Sequence, residues 1–339
     1  MKLKHFATLY FLLIVSVAYS QKTIVALKEV NKNDNKANAQ FNVNRETGGS
    51  TAPGKLVDVG GYKLHLMIKG QGKHTIVIEA GGGSWTLFWE HIQDELAKYA
   101  KVVIYDRAGM GWSDASPYSR TPGLIADELH TALLNAGLKP PFILACHSYG
   151  GVVIKAFEKQ YSNLVSGMIF YDAATEGQFE VLPPISKMVV QQVLGSLKKT
   201  GAEARLGKFT AKDVEIDSTL PKKSWENYKI HKAQPSQSDA FFNEMILFPK
   251  LSDGDILTEK INKPVCVLTA GNSYGAFAGM MPKEMLEASN VKWMELQKKL
   301  ATISTNTKHM IAEKATHQLM YTAKKEMIEA AQWVMQQIK

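Results

Sequence analysis

The sequence predicts an α/β protein: a mostly parallel, eight-stranded sheet flanked by helices, with a helical cap inserted after the sixth strand. Three observations carry that expectation. First, short apolar runs at residues 75–78, 102–105, 142–145, 168–171, 265–268 and 309–312 show no polar alternation, and most are separated by helical patterns. Strands covered on both faces read this way, whereas half-exposed strands alternate. Second, residues 55–59 and 62–68 do alternate about Gly60-Gly61, which predicts a hairpin and an antiparallel edge. Third, the stretch between Tyr171 and Val265 is too long for a simple crossover and carries helical patterns of its own.

Taken in order, the chain opens on Lys2, Lys4 and His5, followed by an apolar run over 6–17 and the small residues of Ala18-Tyr19-Ser20. A basic start, a short apolar core and small residues before a cleavage point predict a signal peptide over 1–20, hence an exported protein, periplasmic or secreted. The run is too short for a comfortable membrane span, so no stable span is expected once the leader is removed; a leader retained as an anchor helix is the alternative. The net charge of +8 includes Lys2 and Lys4, so the mature chain carries +6. Residues 21–54, rich in Asn, Lys, Thr and Gly, predict a flexible segment that buries too little apolar surface to order itself. The catalytic domain is expected over 55–339, with the cap at about 177–260 and its helices near 185–199, 223–232 and 239–248. A last helix over 323–338 sets Met327, Ile328, Ala331, Val334, Met335 and Ile338 on one face.

Composition excludes several functions. At 45% hydrophobic and 21% charged, the chain can bury a full core. Its positive charge is modest and spread out, with no arginine-rich block interleaved with aromatics, so nucleic acid is not an expected partner. The glycines at 81–83 lack the Lys-Ser/Thr of a phosphate loop and the spacing of a dinucleotide fingerprint. There is no H-E-x-x-H and no Cys/His cluster of ligand spacing, so neither a metal nor an organic cofactor is expected. Cys146 and Cys266 fall in central strands with another strand between them, beyond disulfide reach, and are expected as buried free thiols.

The chemistry centres on the run from Phe142 to Gly151. Apolar residues lead straight into Cys146-His147-Ser148-Tyr149-Gly150-Gly151, and Val152, Val153, Ala156, Phe157 and Tyr161 follow at helical spacing. A serine in so sharp a strand-to-helix bend exposes its hydroxyl above the sheet edge, at the positive end of the helix. Gly81-Gly82-Gly83, just past the strand at 75–78, let backbone N–H groups approach a ligand and read as one half of an oxyanion hole, the other N–H coming from Tyr149. The serine needs a base held by a carboxylate. His317 follows the last strand in a loop at the same sheet edge and is the candidate base. His147 reads as packing in the turn and His309 as a satisfied core residue. No carboxylate lies in the turn at 269–275 after the strand at 265–268. Asp172, where the neighbouring strand leaves the sheet, is the candidate acid, with Glu176 one turn on as the alternative.

On these residues the chain resembles the α/β-hydrolase superfamily over about residues 55–339. The resemblance rests on GGGSW at 81–85, YDRAGMGWSD at 105–114, CHSYGG at 146–151, IFYDA at 169–173 and ATHQL at 315–319. It is strongest to the small-substrate bacterial branch with a helical cap after the sixth strand. The chain order Ser148, Asp172, His317 is that of the superfamily, and some haloalkane dehalogenases resembling it take their acid from the same strand end. The resemblance implies Ser148 as nucleophile, the Gly82 and Tyr149 N–H groups as oxyanion donors, His317 as general base, and a structural role for 106–114 with no catalytic part for Arg107. Two departures stand out: Cys146 replaces the first glycine of G-x-S-x-G, and Glu79-Ala80 stands where many members carry His-Gly.

The expected activity is hydrolysis of a small carboxylic ester or similar acyl compound through an acyl-enzyme. A serine nucleophile argues against dehalogenase or epoxide hydrolase chemistry, which needs a carboxylate there. The alternatives are an amidase or aminopeptidase of the proline-iminopeptidase kind, and a non-catalytic binding protein of the same fold. An amine-binding peptidase needs cap acids, and Glu203, Asp213, Glu215, Glu226, Asp239 and Glu244 are present, mixed with lysines. Tyr274, Phe277, Met280, Met281 and Trp293 read either as an apolar acyl pocket or as packing between layers.

Overall fold

The computed structural model describes residues 51–183, 185–252, 256–257, 260–278 and 281–338. The leader and residues 21–50 of the N-terminal segment lie outside the described residues, as does Met280. Eight strands form one sheet in the order β1-β2-β4-β3-β5-β6-β7-β8. They are β1 Lys55–Asp58, β2 Lys63–Lys69, β3 Thr75–Glu79, β4 Lys101–Tyr105, β5 Phe142–His147, β6 Val165–Tyr171, β7 Ile261–Ala270 and β8 Ser304–Ala312. The β1/β2 and β2/β4 pairs are antiparallel, and every other pair is parallel.

Burial explains why some strands were legible and others only in part. All six residues of β5 are buried, and so is nearly every residue of β3, β4 and β6. Strand β8, at the edge, is buried only at its two ends and begins with Ser304, Thr305, Asn306, Thr307 and Lys308. Its first half therefore carries no apolar signal. His309 is correspondingly half-buried rather than in the core, its Nε2 lying 2.8 Å from Thr269 Oγ1. Cys146 and Cys266 are buried and unpaired, on strands separated by β6.

The helices are α1 Glu90–Leu96, α2 Pro122–Asn135, α3 Gly150–Gln160, α4 Gln178–Val181, α5 Ile185–Arg205, α6 Trp225–Lys232, α7 Pro235–Leu247, α8 Lys283–Leu300, α9 Leu319–Thr322 and α10 Lys324–Gln337. Local chemistry fixes several ends. The Thr121 side chain accepts from Leu124 N at the start of α2, and Pro122 and Pro235 occupy first-turn positions where a missing N–H costs nothing. Helix α10 buries Met327, Ala330, Ala331 and Val334, while Ile328 and Met335 are only partly covered. Helices α4–α7 all lie in the connection between β6 and β7. There α5 packs on α7, Val190, Val193 and Leu197 facing inward from one helix and Ala240, Phe241 and Met245 from the other. Among the described residues no helix is long and apolar enough to cross a membrane.

Candidate active site

Parallel register brings two candidate side chains together. His147, the last residue of β5, pairs with Tyr171, the last of β6, so Ser148 and Asp172 are the next residues on adjacent strands. Both turn sharply there: Ser148 has φ 49° and Asp172 φ 44°, and among the described residues they alone, glycine apart, take positive φ. Such a conformation costs about 1 kcal/mol or more and persists only when the surroundings impose it. The surroundings are evident. Ser148 O accepts from Gly151 N (2.9 Å) and from Ala174 N (2.8 Å), and Asp172 N donates to Leu268 O at 2.7 Å. Gly150 must be glycine, because a Cβ there would sit 2.6 Å from Glu79 O.

His317 arrives from the loop between β8 and α9. Its Nδ1 lies 2.6 Å from Asp172 Oδ2, so Nδ1 carries the proton and Nε2 presents a bare lone pair. Nε2 is buried and makes no hydrogen bond with any described residue. A direct Ser148–His317 hydrogen bond is not formed. Ser148 is 9% exposed whereas Asp172 and His317 are fully buried, so the hydroxyl alone of the three is open to a ligand. His147 supports His317, the candidate base, from behind: its Nε2–H donates to His317 O at 2.8 Å, and the two rings lie 4.5 Å apart. Burial, and then the neighbouring His317, push the His147 pKa down to about 3, so it stays neutral.

Asp172 accepts more than the histidine. Ala270 N–H (3.0 Å) and Trp293 Nε1–H (2.8 Å) reach Oδ1, and Ser273 Oγ–H (2.7 Å) joins His317 on Oδ2. Glu176, the alternative acid, instead forms a buried ion pair with Lys155.

Arg107 has a larger part than the sequence indicated. It is 1% exposed and pins the glycine loop after β3. Its Nη1 donates to Glu79 Oε1 (2.7 Å) and Ala80 O (2.7 Å), and its Nη2 to Gly81 O (2.8 Å). Nε and Nη2 also grip Glu244 of α7 at 2.8 and 3.0 Å, while Tyr105 OH donates to Glu79. In a trans peptide C=O and N–H point opposite ways, so holding Gly81 O fixes Gly82 N–H to face away from Arg107. The turn bonds around Ser148 and Gly81 engage the amides of Gly151, Val152 and Ser84, but not those of Gly82 and Tyr149. Phe241 of α7 lies over the loop: a Cβ on Gly82 would be 2.9 Å from its ring. Burial pushes the Glu79 carboxyl up against the pull of Arg107.

Ser273 was not read as a site residue from sequence, Arg107 only as structural, Trp293 only as a pocket or packing residue, and Glu244 only as a cap acid of the peptidase alternative. Trp293 and Tyr274 were legible only as apolar residues; both are buried, with rings 6.2 Å apart, while the Phe277 side chain lies outside the described residues. Among the described residues no group of three or more His, Cys, Asp or Glu could hold a metal ion.

With this geometry in view, comparison with known proteins narrows the reading. The signature of the Alpha/beta hydrolase family matches residues 76–245, half of the chain. A 136-residue segment is 34% identical to "Probable transporter efuK" of Hormonema carpetanum, covering 38% of this chain and 20% of that protein. The chain spans about half or less of the length of the first curated relatives it matches. An esterase from Exiguobacterium antarcticum superposes with a TM-score of 0.61 at 16% identity, covering 84% of this chain and 100% of its own. The Cif epoxide hydrolase from Acinetobacter nosocomialis superposes with a TM-score of 0.62 at 14% identity, covering 95% and 98%. At these identities the two structures show a shared fold and leave the chemistry to the site.

Proposed function

This chain belongs to the alpha/beta hydrolase family, and from that premise we propose that it is an exported serine hydrolase cleaving a small carboxylic ester or similar acyl compound. The observation that carries the proposal is the 2.6 Å bond from His317 Nδ1 to buried Asp172, which leaves Nε2 unpaired in a site where Ser148, at 9% exposure, is less buried than either partner. In the proposed reaction Ser148 Oγ attacks the acyl carbonyl as His317 Nε2 takes its proton. Asp172 fixes the imidazole tautomer and stabilises the imidazolium that forms. The Gly82 and Tyr149 amides hold the oxyanion, His317 returns the proton to the leaving alcohol, and water then releases the acyl group.

Three further observations favour this reading over its rivals. Family neighbours include an esterase and an epoxide hydrolase, but the latter chemistry needs a carboxylate nucleophile and Ser148 stands in that place. An amine-anchoring peptidase needs free cap carboxylates, yet Glu244 is taken by Arg107 and Asp239 by Arg205. Phe241 and Met245 border Gly82, an apolar surround suited to an acyl chain. The test is labelling with a fluorophosphonate probe alongside turnover of p-nitrophenyl esters and aminoacyl anilides. Labelling lost in Ser148→Ala, with esters turned over faster than anilides, is the expected result. Folded wild-type protein that takes no label would favour a binding protein instead. For export, N-terminal sequencing of the mature chain should start at Gln21.

A further inference from the structure

We infer that Ser273 and Trp293 are positioning residues which, with the Ala270 amide, hold the Asp172 carboxylate in a four-donor cradle and so set the strength of the Asp172–His317 bond. The inference rests on the triad reading above. Each carboxylate oxygen accepts two donors: Oδ1 from Ala270 N and Trp293 Nε1, Oδ2 from His317 Nδ1 and Ser273 Oγ. Asp172 is wholly buried, so no solvent competes for these lone pairs. Three of the four donors come from one continuous part of the chain: the end of β7, the turn after it, and α8. That turn contains no carboxylate of its own and serves the one delivered by the neighbouring strand.

The chemistry has a definite direction. Hydrogen bonds to a carboxylate stabilise its charge and make it a weaker partner for an imidazolium. Ser273 competes with His317 for the same oxygen, at 2.7 against 2.6 Å. The hydroxyl has one proton, and its other neighbour, Ala270 O at 3.3 Å, is the poorer acceptor. Trp293 acts on the other oxygen and also sets its ring edge-on to His317, 5.9 Å away and inclined at 82°. Ionisable groups facing the pair are His147 from β5, kept neutral by burial, and the Tyr274 hydroxyl from the turn, raised by burial and by Asp172 itself. Neither is charged near neutral pH, so the donors are the controlling neighbours.

The experiment uses Ser273→Ala and Trp293→Phe, with Ser273→Thr as the conservative control, in the full chain. The first readout is the low-field NMR resonance of the His317 Nδ1 proton, which needs no turnover. It should move downfield in Ser273→Ala, where Oδ2 is left to His317 alone, and return in Ser273→Thr. The second is the pH profile of p-nitrophenyl acetate hydrolysis, whose acid limb should rise by up to about one pH unit in either variant. Turnover at neutral pH should fall about tenfold. Variants that lose thermal stability but keep the wild-type resonance and profile would show the two residues to be packing only, and the inference would fail. Wild-type protein showing the resonance but no probe labelling of Ser148 would instead sink the serine-hydrolase reading and leave the cradle standing.

Discussion

Asp172 and Glu176 lie four positions apart, and their surroundings differ. Asp172 meets His317, while Glu176 neutralises buried Lys155. Asp172→Asn should lower ester turnover about 10⁴-fold, because an amide cannot hold the imidazole in its working tautomer. Glu176→Gln should leave kcat within a few-fold but cost roughly 3 kcal/mol of stability by removing one side of a buried ion pair. Paired kinetics and denaturant melts would check both, and the opposite ranking would move the acid to Glu176. His147 supplies a pH prediction. Its folded pKa, about 3, lies below the ordinary 6.5, so the unfolded chain takes up a proton that the folded one refuses. The stability involved is complete above pH 6.5 and lost as pH falls toward 3. His147→Gln keeps a donor for His317 O and removes the titration. Between pH 7.5 and 5.5 wild type should lose about 1.4 kcal/mol relative to that variant in thermal melts.

Among the elements, the decisive join is between helix α7 and the loop after β3. Arg107 bridges Glu244 on the helix to Glu79 and the Ala80 and Gly81 carbonyls on the loop, and Phe241 covers Gly82. One guanidinium therefore couples the position of α7 to the aim of the proposed oxyanion donor. Arg107→Met would strand two carboxylates in the interior and should cost roughly 3–5 kcal/mol, seen as a lowered denaturation midpoint. A midpoint unchanged from wild type would mean that α7 and the loop hold without the arginine. The elements also show where patterning works. Strands β3, β4, β5 and β6 are buried on both faces and were legible as apolar runs, whereas the polar first half of β8 lies at the sheet edge and was not. Helix α7 starts at Pro235, before the apolar pattern at 239 sets in, because proline suits a first turn whatever follows it.

For the whole molecule, strand order has a chemical consequence. With β6 between β5 and β7, Cys146 and Cys266 cannot meet, and burial holds the Cys146 thiol well above its ordinary range and pushes that of Cys266 up to about 12. Two thiols should react with a thiol reagent only in denaturant, and reducing agent should leave the melting temperature unchanged. A single disulfide in folded protein would contradict the sheet order. Neighbouring residues alone carry the parallel sheet and the turn that bends at Ser148, because local period and turn chemistry are short-range properties of the chain. The sequence also marked Asp172 and His317 as candidates from their places at strand ends. What surrounds them came from folding: the Ser273 and Trp293 donors, the bond of Arg107 to Glu244, and Glu176 going to Lys155. Those contacts join residues far apart in the chain, and their donors and charges are chosen by burial, which no local pattern records.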